Sequence, residues 1–417
     1  MPAAADFFAT TLFETAILKS QISNLKSVGW AVFLGCSWTW CIGMFLPVIF
    51  IRHLGIWGWI VFAVPNVIGA AGMGWVLRKP GQSEQIVHDH AAACSAFSAV
   101  TLAFHIFFLL WFVPRLVGLP IAACALALAA LYLLITMMRQ HWDLPAAAIV
   151  WIFSIAMLIL FVCRSGRINI FLTSSEPAIN AIWLAPVCIF GFFLNPYLDL
   201  TFHRARQALN ATEARVAFGL GFGLFFFSMI VFTLLYAATI SPLLAEDWAE
   251  HLRPALASII AAQMIVQAAF TISAHARSFV SANPKRGIVF AFLILAQGAL
   301  FLALASNLLP RIRGIDPGEL IYLLFMALYA VIFPAYVWLC MIPGRDGVTG
   351  PTTAKVRALL ICVIVVIPMF WMAFIETKWP WLAPGLAVIL LSRFIIPRRL
   401  QGTMPVTDTE RATHVCQ

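Results

Sequence analysis

Long apolar runs alternate with short polar segments along almost the whole chain. A membrane-spanning helix needs about 20 mostly apolar residues, and twelve runs approach or exceed this length. They cover residues 28–51, 56–77, 91–114, 117–138, 145–163, 178–199, 214–240, 253–274, 287–309, 319–342, 355–375 and 380–397. The connections between them are short, and none could hold a soluble domain. The pattern predicts an all-α integral membrane protein with about twelve transmembrane helices.

Composition excludes an ordinary soluble protein. Of the 417 residues, 63% are hydrophobic and only 10% are charged, whereas soluble domains carry about 25% charged residues. The formal charge is +9, but the basic residues lie in short loops and not among aromatics, so we expect the lipid bilayer and no nucleic acid as partner. The nine cysteines include no C-x-x-C pair, and we interpret them as buried apolar residues, with no metal site and no disulfide framework.

The distribution of lysine and arginine predicts the orientation of the helices. With twelve spans and a cytoplasmic N-terminus, 18 of the 26 lysines and arginines lie on the cytoplasmic side, as the positive-inside rule requires. Both termini are therefore expected in the cytoplasm of a bacterial cell, with the chain in its inner membrane. Residues 1–27 are interpreted as an amphipathic cytoplasmic segment and residues 398–417 as a polar cytoplasmic tail.

Two of the predicted spans contain helix-breaking residues. The first reads GWAVFLGCSWTWCIGMFLPVIF, and the sixth reads WLAPVCIFGFFLNPYLDLTF. Their breaking positions are Gly35, Gly43, Pro47, Pro186, Gly191 and Asn195-Pro196. Irregular backbone at membrane depth is tolerated only beside protein or a water-filled cavity, so these breaks indicate a functional site.

The spacing of the spans favours an internal repeat. When spans one to five are paired with spans six to ten, the start offsets are about 150, 158, 162, 168 and 174 residues, a smooth drift. A five-helix repeat must be inverted, because its second copy starts on the opposite side of the membrane. We expect a first repeat at 28–163, a second at 164–342 and two further helices at 343–397. Any twelve-span chain can be divided in this way, so the alternative that the chain has no internal repeat stays open.

This layout of five, five and two helices, with interrupted first and sixth spans, resembles the amino acid–polyamine–cation superfamily of secondary transporters, including sodium:solute symporters, which share the LeuT-like fold. The resemblance covers about residues 28–342. It implies solute transport by alternating access, coupled to Na⁺ or H⁺. Sodium-coupled members use hydroxyl residues of the eighth span, which correspond here to Thr271 and Ser273, although these are not adjacent.

Candidate site residues follow from the breaks and from the few polar groups inside the spans. The expected solute-binding residues are Ser37, Trp38, Thr39, Gly191, Asn195, Tyr197 and Gln267. The expected ion or proton residues are Asp199, His105, Thr271 and Ser273.

Structural alternatives stay open for the main candidates. Asp199 could be a helix-end acid that pairs with Arg204 or Arg206, and the hydroxyls of the first span could bond back to the preceding turn. His105 could be a neutral core histidine.

Three polar sequences outside the breaks have less specific interpretations. We interpret His88-Asp89-His90 as a solvated helix start and not a metal site. His275 and Arg277 are expected at the membrane interface, and Gln263 is expected to line a polar path with Gln267 or to bond between helices.

A secondary transporter of a small solute is the leading functional hypothesis. No G-x-x-x-x-G-K-[ST] loop occurs, which argues against ATP-driven transport within this chain. A membrane enzyme such as a lipid-linked glycosyl or acyl transferase is disfavoured because the outer loops are small, and a sensor with a transporter-like fold is the third hypothesis. No catalytic residue and no cofactor other than Na⁺ is expected, and the oligomeric state is left open.

Overall fold

The computed structural model describes residues 24–137, 142–166, 168, 174–244, 253–281, 285–343 and 350–396. This part of the chain folds into fifteen helices. They are α1 (Asn24–Trp38), α2 (Cys41–Leu54), α3 (Ile56–Val76), α4 (Gln82–Asp89), α5 (Ala91–Val117), α6 (Leu119–Met137), α7 (Asp143–Ser165), α8 (Ala181–Leu194), α9 (Leu200–Ala208), α10 (Ala211–Ile240), α11 (Pro254–Ser281), α12 (Arg286–Ala305), α13 (Pro317–Met341), α14 (Thr353–Phe374) and α15 (Trp379–Phe394).

The apolar runs coincide with these helices, and the chain is a multi-pass, all-α membrane protein. Within the described residues, nine helices are long and apolar enough to cross a bilayer, and the bent pair α1–α2 makes a tenth. The runs at 117–138 and 380–397 fall on shorter apolar helices within the described side chains. Most of the predicted 1–27 segment and the whole 398–417 tail lie outside the described residues.

Helices α5 and α11 run through the centre of the bundle, and among the candidate spans of the described residues theirs are the most buried. They pack along each other. Helix α12 packs on α5, and helices α6 and α7 pack on α11. On the other side of the bundle, α3 contacts α2, α8 and α10, and α2 also contacts α10. This arrangement places α3 and α10 beside α2, and α3 beside α8, the helices next to the sequence breaks.

Glycine permits the closest helix contact near the sixth span. A Cβ atom at Gly69 would lie 2.6 Å from the carbonyl oxygen of Phe192, too close for any side chain. Gly72, on the same helix, has no atom within 4 Å of that position. The α3–α8 contact therefore requires glycine at 69 but not at 72.

Candidate solute and ion site

The first break separates α1 from α2 at Thr39 and Trp40, and the two helix axes differ in direction by 55°. Both predicted hydroxyls bond back to the preceding turn: Thr39 Oγ1 donates to the Gly35 carbonyl (2.8 Å) and Ser37 Oγ to the Leu34 carbonyl (3.2 Å). This is the local bonding pattern typical of Ser and Thr in apolar helices. The two hydroxyls are thus committed to the backbone.

Helix α11 compensates for the break. The Gln267 amide Nε2 donates to the carbonyl of Cys36 (2.5 Å), and Thr271 Oγ1 lies 3.4 Å from the same oxygen. The Cys36 carbonyl also accepts from the Thr39 amide (3.3 Å). Carbonyls near a helix end lack their regular intrahelical partner, and these side chains supply additional donors. Gln267 and Thr271, predicted as solute and ion residues, therefore hold the broken helix in place.

The second break follows α8. Asn195–Leu198 form a 3₁₀ turn, Asp199 is extended, and α9 begins at the next residue. Asp199 caps α9: its Oδ1 accepts from the Thr201 amide (2.7 Å) and from Thr201 Oγ1 (2.8 Å). Thr201 Oγ1 also lies 3.2 Å from Ser37 Oγ, so the two breaks are in contact.

A buried acid and a buried histidine face each other at this junction. Oδ2 of Asp199 lies 3.8 Å from Nε2 of His275, and both side chains are fully buried. Among the described residues, neither Asp199 Oδ2 nor either ring nitrogen of His275 has a hydrogen-bond partner. Buried polar atoms are almost always bonded, so these three atoms identify a place where a proton, an ion or water can bind.

His105 differs from His275 because both of its nitrogens are used. Nδ1 lies 2.7 Å from the Thr101 carbonyl and so carries the proton, and Nε2 accepts from the Cys41 amide (3.2 Å). The ring of Trp40 packs edge-on against both histidines. His105 is thus arranged as a core histidine that supports the start of α2, which was the structural alternative for this residue.

A cavity of about 310 Å³ lies beside the breaks, between α2, α8, α13 and α14. Trp38, Gly191 and Asn195, three of the predicted solute-binding residues, line it. The Trp38 indole donates to Asn66 Oδ1 (2.6 Å). Asn195 Nδ2 donates to the carbonyl of Tyr329 (2.9 Å), which lies in a π-helical turn of α13. Tyr197 is not among the lining residues.

Ion pairs join helices at one end of the bundle. Arg52, at the end of α2, pairs with Glu319 in the first turn of α13. Arg115, at the end of α5, pairs with Asp316 (2.7 Å), the N-cap of the same helix. Both acids are buried. We call these four residues the Glu319 cluster.

A second set of ion pairs lies where α7 begins. Asp143, in the first turn of α7, pairs with Arg204 of α9 and with Arg277 near the end of α11. Arg277 also donates to Ser273 Oγ (3.1 Å). Asp143 and Arg277 are buried. These residues form the Asp143 cluster, in which Arg204 pairs with Asp143 and not with Asp199.

His275 and Arg277, which were expected at the membrane interface, are both buried within the bundle. They follow a span whose last part is polar, which is typical of a helix leaving the membrane, but α11 continues to Ser281. A signal was present in the sequence. Polar residues recur at every fourth position of α11, which places them on one helix face: Gln263, Gln267, Thr271 and His275.

The His88-Asp89-His90 sequence lies outside the spans. His88 is exposed, whereas His90 is buried and its Nδ1 lies 3.0 Å from the Tyr336 hydroxyl. Hydrogen bonds from Gln85 hold the pKa of Asp89 below its usual value. No group of three or more candidate metal ligands occurs among the described residues.

Comparison of the chain with protein-family models, with curated proteins and with solved structures gives no match.

Proposed function

We propose that this protein is a secondary active transporter that moves a small solute by alternating access through a five-plus-five inverted repeat. The observation that carries the proposal is that each end of the bundle has a cluster of ion pairs that joins three helices. In each cluster, arginines of two helices pair with acids at the start of a third, which are Glu319 and Asp316 in one cluster and Asp143 alone in the other.

The positions of these residues support the repeat. Arg52 and Arg204 are 152 residues apart (52 to 204), Arg115 and Arg277 are 162 apart, and Asp143 and Asp316 are 173 apart. The expected offsets between spans one and six, three and eight, and five and ten are about 150, 162 and 174. The two clusters therefore match helix by helix.

Helix packing supports the same repeat. The contact between spans one and seven (α2 with α10) has as its counterpart the contact between spans six and two (α8 with α3). The contact between α5 and α12 likewise has as its counterpart the contact between α11 and α6. The pairs α5–α11 and α3–α10 are their own counterparts. Helices α14 and α15 would then be the additional pair, and α6 and α15 would complete twelve spans.

The two clusters would act as gates. With both termini in the cytoplasm, the Glu319 cluster lies on the outer side and the Asp143 cluster on the inner side. Breaking one partner of a buried pair leaves an uncompensated charge and is strongly destabilising. Opening either cluster while the other stays closed would expose the breaks to one side at a time, as alternating access requires.

A proton is the coupling ion that the site favours. The unpartnered oxygen of Asp199 faces an imidazole nitrogen, and a carboxylate and an imidazole can pass a proton between them. Hard cations prefer several oxygen ligands, whereas Ser273 Oγ, one of the two predicted sodium ligands, accepts a hydrogen bond from the cationic Arg277. Na⁺ is therefore the second candidate.

Thiol accessibility tests the gates without knowledge of the solute. Cys36 and Cys41 flank the first break and are fully buried. Glu319→Gln should make Cys41 react with a membrane-impermeant maleimide added from outside, and Asp143→Asn should make Cys36 react from inside. A substitution that destabilises the closed gate by about 1.4 kcal/mol should raise the labelling rate of the cysteine about tenfold.

Matched controls are Glu376→Gln on the outer side and Glu84→Gln, an exposed residue of α4, on the inner side. Neither should change the labelling rates measured by peptide mass spectrometry. Protection of both cysteines in both gate variants, or labelling of both from one side, would contradict alternating access.

Transport itself is tested by uptake into proteoliposomes from a panel of radiolabelled polar and amphipathic solutes. Accumulation should follow an imposed proton gradient and not a sodium gradient. Accumulation driven by a sodium gradient alone would identify Na⁺, and not the proton, as the coupling ion. Chemical conversion of a panel compound would favour a membrane enzyme, and binding without movement would favour a sensor.

A further inference from the structure

The cavity beside the breaks has a wall that suits a neutral molecule. In the described part of the chain, every residue that lines it is uncharged, and most are aliphatic or aromatic. An ion entering such a space would lose its hydration without gaining a charged partner, at a cost of several kcal/mol. Apolar cavities with a few placed polar groups are typical of ligand sites.

One unpartnered acceptor lies in this wall. Asn195 is 3% exposed, and its Nδ2 is bonded to Tyr329, but its Oδ1 has no hydrogen-bond partner among the described residues. A buried amide oxygen without a donor costs about 1–3 kcal/mol. Oδ1 is itself buried, so a ligand in the cavity that donates a hydrogen bond to it, and so recovers this energy, would require a rotation of the Asn195 side chain.

The cavity also reaches the lipid-facing surface. Leu324 of α13 and Ile367 of α14 both line it, and each is about half exposed (52%) on the outside of the bundle. In a bilayer these side chains contact acyl chains and not water. Entry from the membrane past these two side chains would not require the Glu319 cluster to open.

We infer that the ligand of this cavity is a neutral amphipathic molecule that enters from the bilayer, with a hydroxyl or amide N–H head group on Asn195 and an apolar body along α13 and α14. This inference rests on the proposed function, because it takes the cavity as the solute site. The expected solute is therefore a molecule that partitions into the lipid bilayer and not a polar molecule dissolved in water.

Photolabelling tests the inference in the full-length protein in lipid nanodiscs, with a diazirine-bearing decanol as the probe. Adducts should concentrate on the cavity-lining parts of α13 and α14, and excess decanol should suppress them more strongly than excess decane. Asn195→Leu should weaken decanol competition about fivefold, the equivalent of one hydrogen bond of about 1 kcal/mol.

A second variant does not depend on the hydrogen bond. Ala327 lines the cavity, and Ala327→Trp should fill it and abolish the adducts there, whereas Ala299→Trp on the exposed face of α12 should leave them unchanged. Thermal unfolding of each variant verifies that it is folded. Equal labelling of lipid-facing α12 without competition, or persistent cavity adducts in Ala327→Trp, would overturn the inference.

The two proposals fail separately. Gradient-driven uptake of a polar solute, with no specific labelling by the decanol probe, would leave the transporter standing and remove the amphipathic ligand. Specific labelling of the cavity without one-sided exposure of Cys36 or Cys41 in the gate variants would leave the ligand site and remove alternating access.

Discussion

His275 Nε2 and Asp199 Oδ2 lie 3.8 Å apart in the interior of the bundle. The distance is too long for a direct hydrogen bond. Asp199 also caps α9 through its other oxygen. Oδ1 therefore makes a structural bond, whereas Oδ2 has no hydrogen-bond partner among the described residues. The structural role and the proposed coupling role can therefore be separated by substitution.

Asp199→Asn should abolish proton-driven accumulation while leaving solute exchange between equal concentrations within about threefold of the native rate. Asparagine is as good an N-cap as aspartate, so α9 should be retained, but the titrating group is lost. Uptake with and without a proton gradient measures the difference. Asp89→Asn, on exposed α4, is the control, and unimpaired proton-driven accumulation in the Asp199 variant would exclude this carboxylate as the coupling site.

Gly69→Ala should destabilise the protein by about 1–3 kcal/mol, because its methyl group would overlap the Phe192 carbonyl and push α3 away from α8. Gly72→Ala should be neutral or stabilising by up to about 1 kcal/mol, since that position is open and alanine favours the helix. Thermal unfolding in detergent compares the two. Equal stability of both variants would show that the α3–α8 approach is looser than described.

Arg115→Ala and Asp316→Asn should be coupled by about 1–3 kcal/mol in a double-mutant cycle, because the acid is only 8% exposed. Asparagine retains the cap on α13, which limits the effect to the charge. The pair Lys26 and Glu213 is more exposed and should couple by less than about 1 kcal/mol. Thermal unfolding of the four proteins in each cycle provides the values, and comparable coupling in both pairs would argue against a special role for the Glu319 cluster.

Reporter fusions test the number of spans. Twelve spans place both termini in the cytoplasm, so a fluorescent protein should be active, and alkaline phosphatase inactive, at either end. A fusion after Lys378, between α14 and α15, should give the opposite result. If α15 or α6 does not cross the membrane, the termini would report different sides.

The spans and their breaks could be predicted from the sequence because both are local properties. Twenty apolar residues form a helix in lipid whatever they contact, and glycine and proline weaken a helix wherever they occur. The bend at Thr39 and Trp40 and the non-helical Asp199 lie within the predicted interrupted spans.

Partners between distant helices could not be predicted in the same way. Arg204 could have paired with any acid near its end of the bundle, and the packing of both α7 and α9 on α11 brings Asp143 within its reach. The burial of His275 could not be predicted for a related reason, because its polar neighbours indicate a helix end, whereas the contacts of α11 bury that part of the helix.

All four ion pairs of the two clusters cross the boundary between residues 28–163 and 164–342. Neither half supplies both partners of any of these pairs. If the proposed inverted repeat arose from two separate copies of one half, both clusters could have formed first as contacts between subunits. Under that proposal, gene fusion would have added only a connection between the copies.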